Sequence, residues 1–283
     1  MENLGYYNGS VDRIERMSVP MSDRACYFGD GLFEVTYTRN HVPYSLSEHM
    51  DRMYASAEEL GIRIGLPQED FETLIRELIT RVDADEQWVY WQISRGTEIR
   101  DYPPKEGQTA NIWVMIRPMR IKDSYLPMRA ITLEDKRALY CHMKTLNVLP
   151  AVLASAAVEK AGVDEGVLHR DGRVTECIHA NLSILRSDGV IQTAPADRMI
   201  LPGVARAHLL HFAKALGIPV EEKPFTLEDL TIADEILVTS SGTLCRPIRE
   251  LDGKPVGGKN SALLKRLQDT LYKDFMEKTE IGR

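Results

Sequence analysis

A mixed α/β (α+β) fold in two domains is predicted from the sequence. Strand-like alternation and helix-like periodicity are interleaved in both halves of the chain. A polar stretch with two prolines, Arg117 to Pro127, separates them, and 283 residues suffice for one large core or two moderate ones. The reading therefore places a first domain at 1–118, a linker at 119–126 and a second domain at 127–283.

In chain order, Tyr6-Tyr7-Asn8-Gly9 reads as a strand end and turn. Leu32 to Thr38 has strand composition, and Arg39-Asn40-His41 turns it into Val42-Pro43-Tyr44. Ser45 and Glu48 have capping-box spacing for a helix whose apolar stripe is Met50, Met53, Tyr54, Ala57 and Leu60, with Gly61 as its stop. A second helix after Pro67 carries Phe71, Leu74, Ile75, Leu78, Ile79 and Val82 on one face. Trp88 to Ser94 and Ala110 to Ile116 read as strands, and the long loop between them includes Arg95 to Pro104.

In the second half, Arg129 to Leu133 reads as a strand. Asn147 is the expected N-cap of a helix with Pro150 in its first turn and Leu149, Val152, Leu153, Ala156 and Ala157 on its buried face. Arg170-Asp171-Gly172-Arg173 and Arg186-Ser187-Asp188-Gly189 are turns between strand pairs. Leu201-Pro202-Gly203 opens a helix that Gly217 ends, Glu235 to Val238 is a short strand, and Leu264, Leu267, Leu271 and Phe275 line a final helix.

Composition narrows the function. A net charge of -7 argues against general nucleic-acid binding, which needs a basic field. No apolar run approaches membrane-spanning length, and the first residues lack a signal-peptide pattern. Cys26, Cys141, Cys177 and Cys245 have neither CxxC nor metal-type spacing, so reduced thiols and a cytoplasmic location are expected. No metal-ligand histidine spacing and no GxSxG are present, and Gly29-Asp30-Gly31 is not a nucleotide fingerprint. His49, His169, His208 and His211 read as structural or exposed.

Several residues carry chemistry. Lys144 stands between an apolar run and a helix entrance, where lost solvation can make a lysine nucleophilic; taken alone, a strand-end lysine reaching solvent is the commoner case. Glu176, among apolar neighbours, needs a proton or a cation partner, either a pyridinium N–H or a nearby arginine. The Gly203 helix start, with Val204 and Ala205, offers backbone donors to a phosphate, as does the hydroxyl-rich Thr239-Ser240-Ser241-Gly242-Thr243; each also fits an ordinary helix start or turn. Arg52 is either a phosphate clamp or part of a solvated ion-pair face with Glu48, Asp51, Glu58 and Glu59. Arg100 fits a carboxylate ligand or an exposed loop arginine. A reactive lysine, a ring-nitrogen carboxylate and two phosphate sites are together what a pyridoxal 5′-phosphate enzyme needs.

The sequence resembles the fold-type IV pyridoxal-phosphate family. The resemblance lies in Tyr27-Phe28-Gly29-Asp30-Gly31-Leu32-Phe33-Glu34, in Glu48 to Ser56, in Lys144-Thr145-Leu146-Asn147 and in Val174-Thr175-Glu176, and spans nearly the whole chain. It is nearest the D-amino-acid aminotransferase branch. It implies a smaller N-terminal α/β domain and a larger C-terminal pseudo-barrel domain that binds the cofactor. It implies that Lys144 forms the Schiff base and shuttles the proton. Glu176 would bond the pyridine nitrogen, and Leu201 would pack against the ring. Arg52, the backbone of Val204 and Ala205, and Ser240 and Ser241 would hold the phosphate. Arg100 would bind the substrate carboxylate from the partner subunit of a homodimer, in a pocket with Tyr102 and Phe33.

The departures are local. Phe33 and Tyr102 stand where the D-amino-acid branch has tyrosine and histidine, Ala205 replaces a threonine, and Cys177-Ile178-His179-Ala180 replaces small hydroxyl residues. The expected activity is ping-pong transfer of an amino group from a D-amino acid, of the D-alanine or D-glutamate type, to pyruvate or 2-oxoglutarate. A branched-chain L-amino-acid or (R)-amine aminotransferase is the alternative, followed by aminodeoxychorismate lyase or a non-catalytic phosphometabolite-binding protein.

Overall fold

In the computed structural model, which describes residues 1–281, the chain begins with β1 (Leu4–Tyr7) and β2 (Ser10–Asp12). There follow α1 (Arg24–Phe28), β3 (Gly31–Arg39), β4 (Val42–Pro43), α2 (Leu46–Glu59), α3 (Gln68–Ile79), β5 (Gln87–Ser94) and β6 (Asn111–Pro118). The strands form an antiparallel sheet in the order β2-β1-β6-β5-β3-β4. Strand periodicity decides its faces. Leu32, Glu34, Thr36 and Thr38 of β3 are buried, while Phe33, Val35 and Tyr37 between them are half-buried. Met50, Met53, Phe71, Ile75 and Leu78 of the two helices join Leu32, Val89, Trp91 and Val114 in the core. The predicted apolar stripes are thus the packed ones. The capping box is not formed: Ser45 is the α2 N-cap, but its backbone is left-handed (φ 54°) and its side chain makes no cap bond.

The remaining chain gives β7 (Met128–Glu134), α4 (Leu149–Ala161), β8 (Glu165–Arg170), β9 (Arg173–Cys177), β10 (Asn181–Leu185) and β11 (Ile191–Thr193). Then come α5 (Val204–Ala215), β12 (Val220–Glu222), α6 (Leu227–Ile232), β13 (Glu235–Ser240), β14 (Leu244–Leu251), β15 (Lys254–Pro255) and α7 (Ser261–Lys278). Among the described residues these strands make a second sheet in the order β12-β11-β10-β13-β14-β7-β8-β9, with β15 on β14. β7 runs parallel to β8 and β14, and α4 supplies the crossover that a parallel β7–β8 pair requires. Both predicted turns join antiparallel strands or lead into them, with Asp171 and Gly172 at positive φ as a tight hairpin needs. The strand β14 and the short helices α1 and α6 carry no periodicity long enough to read from sequence.

Two compact units result: residues 1–121 with 143–147 and 275–281, and residues 122–142 with 148–274. The first break falls inside the predicted linker. The two later segments, assigned by sequence order to the second domain, group with the first unit for a physical reason. Backbone bonds tie 143–147 to β3, while Phe275 packs edge-on against Tyr44 and Asn40 donates to the Thr279 carbonyl.

Two expectations about α4 are corrected. Val148, not Asn147, is its N-cap, because the Asn147 amide instead donates to the Gly29 carbonyl (3.0 Å). The face predicted as buried is exposed: Leu149 is 67%, Val152 56% and Leu153 64% accessible. Within this chain the helix packs through Val158, Ala151 and Ala154 against Leu168 and Ile178. The four cysteines form no disulfide. No helix among the described residues is long and apolar enough to cross a membrane.

Candidate active site

In the first unit the segment around Lys144 is laid along β3. The Phe33 N–H donates to the Lys144 carbonyl (2.9 Å), the Leu146 N–H donates to the Gly31 carbonyl (3.0 Å), and Leu32 and Thr145 form an antiparallel bridge. Gly31 permits this approach. A Cβ there would lie 2.1 Å from the Ile93 carbonyl oxygen and 2.9 Å from Leu146 Cδ1. The Lys144 backbone is therefore fixed by a strand more than a hundred residues away in sequence. Its Nζ lies 4.4 Å from the Phe33 ring centroid, and Phe33 stacks on Tyr90 at 5.6 Å.

Behind β3, Glu34 is buried with Arg52 and His49 of α2. Arg52 donates Nε to Oε1 (2.7 Å) and Nη2 to Oε2 (2.6 Å), while His49 Nδ1 lies 2.8 Å from Oε2. Burial opposes ionisation of Glu34, but the Arg52 charge and the hydrogen bonds from His49 and Arg52 outweigh it and hold the carboxyl at about 2. Burial lowers the His49 pKa against the pull of Glu34, and the charges of Arg52 and Lys144 act in the same direction as burial. Arg52 is thus not on a solvated ion-pair face. Its side chain is 11% exposed and oriented by a buried carboxylate.

Arg100 and Tyr102 come together around a different aromatic. The Arg100 guanidinium lies 5.0 Å from the Phe28 ring and 5.5 Å from the Tyr102 ring, and these two rings are 5.2 Å apart. Buried Arg24 holds this loop by donating to the Asp101 and Tyr102 carbonyls (2.8 and 3.0 Å) and to Asp30 (2.8 Å). Phe33 is placed instead with Lys144 and Tyr90.

In the second unit Glu176 is buried at the end of β9, as its apolar neighbours suggested, and its cation partner is Arg137. Asn181 Nδ2 donates to Oε2 (2.8 Å), and the Leu201 N–H is shared between both carboxylate oxygens (3.2 Å each). Asn181 Nδ2 also donates to the Leu201 carbonyl (2.8 Å). A Cβ on Gly203 would lie 1.9 Å from Asn181 Oδ1, so only glycine fits at the start of α5. Asn181 therefore binds the carboxylate and shapes the helix start together. α5 has no side-chain cap on Gly203, leaving the amides of Val204 and Ala205 in its open first turn. At the end of β13, the Ser240 and Thr243 hydroxyls are 2.9 Å apart in the turn that contains Ser241.

Sequence reasoning singled out neither Arg137, Asp135 and Asn181 nor the role of Glu34. Asn181 lies five residues beyond Glu176 and Glu34 closes the motif that begins at Tyr27, so both stood beside or within recognised motifs. Arg137 lies in a loop without periodicity, and no local signal marks it.

Taken unit by unit, the donor set fits pyridoxal phosphate. The first unit offers an amine on a fixed backbone and a guanidinium. The second offers a buried carboxylate for a ring N–H, with a helix start and a hydroxyl turn for an anion.

The pattern of the family "Amino-transferase class IV" matches residues 31–251. The chain is 36% identical over 275 residues to the D-alanine aminotransferase of Listeria monocytogenes serotype 1/2a (strain 10403S), covering 95% of this chain and 94% of that one. It is 31% identical over 276 residues to that of Bacillus licheniformis, covering 96% and 97%. Its fold matches the branched-chain aminotransferase from Thermoproteus uzoniensis with a TM-score of 0.89 at 22% identity, covering 98% of this chain and 96% of that one. The Escherichia coli branched-chain enzyme gives 0.88 at 24% identity, covering 100% and 97%. Fold-type IV architecture, aminotransferase activity and use of pyridoxal phosphate follow: the chain belongs to the class IV aminotransferases.

Proposed function

We propose that this aminotransferase takes the amino group of a D-amino acid and delivers it to a 2-oxo acid such as pyruvate or 2-oxoglutarate. The observation that carries this reading is the 31–36% identity to D-alanine aminotransferases over nearly the full chain. Pyridoxal phosphate, when bound, supplies an aldehyde carbon for the amino group and a ring that accepts the electron pair released at the α-carbon.

The chain's own groups do the rest. Lys144 Nζ anchors the cofactor and moves the proton at the α-carbon, a task that needs an amine held on a fixed backbone. Glu176 accepts the ring-nitrogen proton as a hydrogen bond and keeps it there. By the family resemblance, Arg52 of the first unit and the Val204 and Ala205 amides, Ser240 and Ser241 of the second would hold the phosphate, and Leu201 would pack beside the ring. Arg100 binds the carboxylate, with the Tyr102 hydroxyl as a neutral donor beside it. Phe33 contributes no hydroxyl, so its part in the pocket is apolar.

A homodimer belongs to the same reading. Leu149, Val152 and Leu153 project from one exposed face of α4, and clustered large apolar side chains of this kind mark an interaction surface. A second copy of the chain is the occupant we propose for it.

A second reading draws on Phe33. With phenylalanine in place of a tyrosine the carboxylate is held by fewer donors, which favours a donor without a carboxylate, an (R)-amine, and keeps a branched-chain L-amino acid open as the other alternative. Half-reactions with D-alanine, D-glutamate, L-leucine and an (R)-arylamine, followed by the change in cofactor absorbance, separate the two. Conversion by D-amino acids alone supports the first reading. Conversion by L-leucine or the amine alone overturns it.

A further inference from the structure

We infer that Arg137 is a positioning residue for the cofactor's ring-nitrogen partner: clamped by Asp135, it holds the Glu176 carboxylate ionised and in one rotamer. The inference rests on the reading of Glu176 as that partner. All three guanidinium nitrogens of Arg137 donate to its surroundings. Nε donates to Asp135 Oδ1 (2.9 Å), Nη2 to Asp135 Oδ2 (2.8 Å) and to the Met199 carbonyl (3.2 Å), and Nη1 to Glu176 Oε1.

The clamp is itself locked. Asp135 Oδ1 accepts the Arg137 backbone N–H (3.0 Å), and Oδ2 accepts the Thr175 hydroxyl (3.0 Å) and Arg170 Nε (3.2 Å). Arg170 Nη2 donates in turn to the Arg137 carbonyl (2.8 Å). Neighbouring residues of β9, Thr175 and Glu176, thus hang on the two members of one ion pair.

The charge logic explains why a cation is placed here. A carboxylate that must keep a proton on a ring nitrogen has to stay ionised, and burial alone drives it to take that proton. A guanidinium cannot lose its own proton, so it supplies a charge that does not titrate. Asp135 shares that charge and Arg170 adds a second guanidinium, so two guanidinium groups face two carboxylates. Burial disfavours the Asp135 anion, yet its bonds to Arg137 hold it at about 2; burial likewise opposes the Arg137 cation, yet Asp135 and Glu176 raise its pKa. Among the described residues, the titratable and charged groups around Glu176 include Arg137, Asp135, Arg170, Cys141 and Cys177; burial raises both thiols, so neither supplies an anion near neutral pH.

The test titrates pyridoxal phosphate into apoenzyme and follows bound-cofactor absorbance against pH, for wild type, Arg137→Met, Arg137→Gln and Arg137→Lys. Circular dichroism establishes which variants fold. In the two neutral variants the dissociation constant for pyridoxal phosphate is expected to rise about tenfold, and the acid-side midpoint for holding it to move up by about one pH unit. The lysine variant keeps the charge and is expected to restore the midpoint. Wild-type affinity and midpoint in either folded neutral variant overturn the inference. If neither neutral variant folds, Arg137→Lys decides. Weaker affinity with the midpoint kept supports the inference, and any other result overturns it. Failure of the underlying reading looks different: Glu176→Gln would leave both the wild-type spectrum and its pH response unchanged.

Discussion

Glu34 and Arg52 meet inside the first unit as a two-pronged pair, with Nε and Nη2 of the arginine 2.7 and 2.6 Å from the two carboxylate oxygens. Such a pair, once made, is costly to break from one side. Glu34→Gln is expected to destabilise the protein by about 3 kcal/mol at pH 7, measured by urea unfolding. The pH sign follows from a carboxyl that titrates at about 2 when folded, against 4.5 ordinarily. Its contribution is complete above the ordinary value and fades as pH falls toward 2, so the gap between wild type and variant should narrow at pH 3. An equal gap at both pH values would falsify this assignment.

Glu165 titrates with the opposite sign. Burial raises its carboxyl to about 6, although the Gly166 and Ile178 amides donate to it. The folded state binds this proton more tightly than the unfolded one, so stability falls as pH rises from about 4.5 through about 6. Glu165→Gln keeps an acceptor for both amides without the charge. It should gain about 2 kcal/mol over wild type at pH 8 and gain nothing at pH 4, read from denaturation midpoints. A pH-independent difference would refute it.

Lys144→Ala removes the proposed anchor while its backbone pairing with β3 survives. Turnover is expected to fall at least about a thousandfold, and borohydride should no longer fix the cofactor to the chain. Turnover at the wild-type rate would remove Lys144 from its role.

Arg100→Ala should lower kcat/KM for the amino acid about a hundredfold, mostly through KM, with cofactor affinity unchanged. Steady-state kinetics and cofactor titration together check this. Unaltered kinetics would place Arg100 outside the substrate site.

Leu153→Glu puts a charge into the exposed α4 face. Sedimentation should then show monomer where wild type shows dimer at the same concentration, and a dimer unaffected by this change and by Leu149→Glu would move the interface elsewhere.

Regular elements were the legible part of this molecule. The α2 and α3 stripes and the β3 alternation follow from burial with a fixed period, and the Asp171-Gly172 turn from backbone sterics. The α4 face was legible as apolar but not as exposed, because periodicity marks a face that seeks cover without saying which surface provides it. Lys144 and Glu176 came from short motifs at element ends. Arg137 and Asp135 were not legible: charge pairing across 39 residues depends on how β7 and β9 flank β8, which only the folded sheet reveals.

The pairing of 143–147 with β3, and of Tyr44 with Phe275, has a consequence for how the protein is made. On the ribosome, the strip that carries the lysine emerges soon after the first 121 residues, and the last helix much later. The contacts that 275–281 make with the first unit can form only once the nascent chain has passed residue 275. The Lys144 backbone reaches its place only when the 143–147 strip folds back onto β3, so a chain that stops short of that strip carries the first sheet without its lysine.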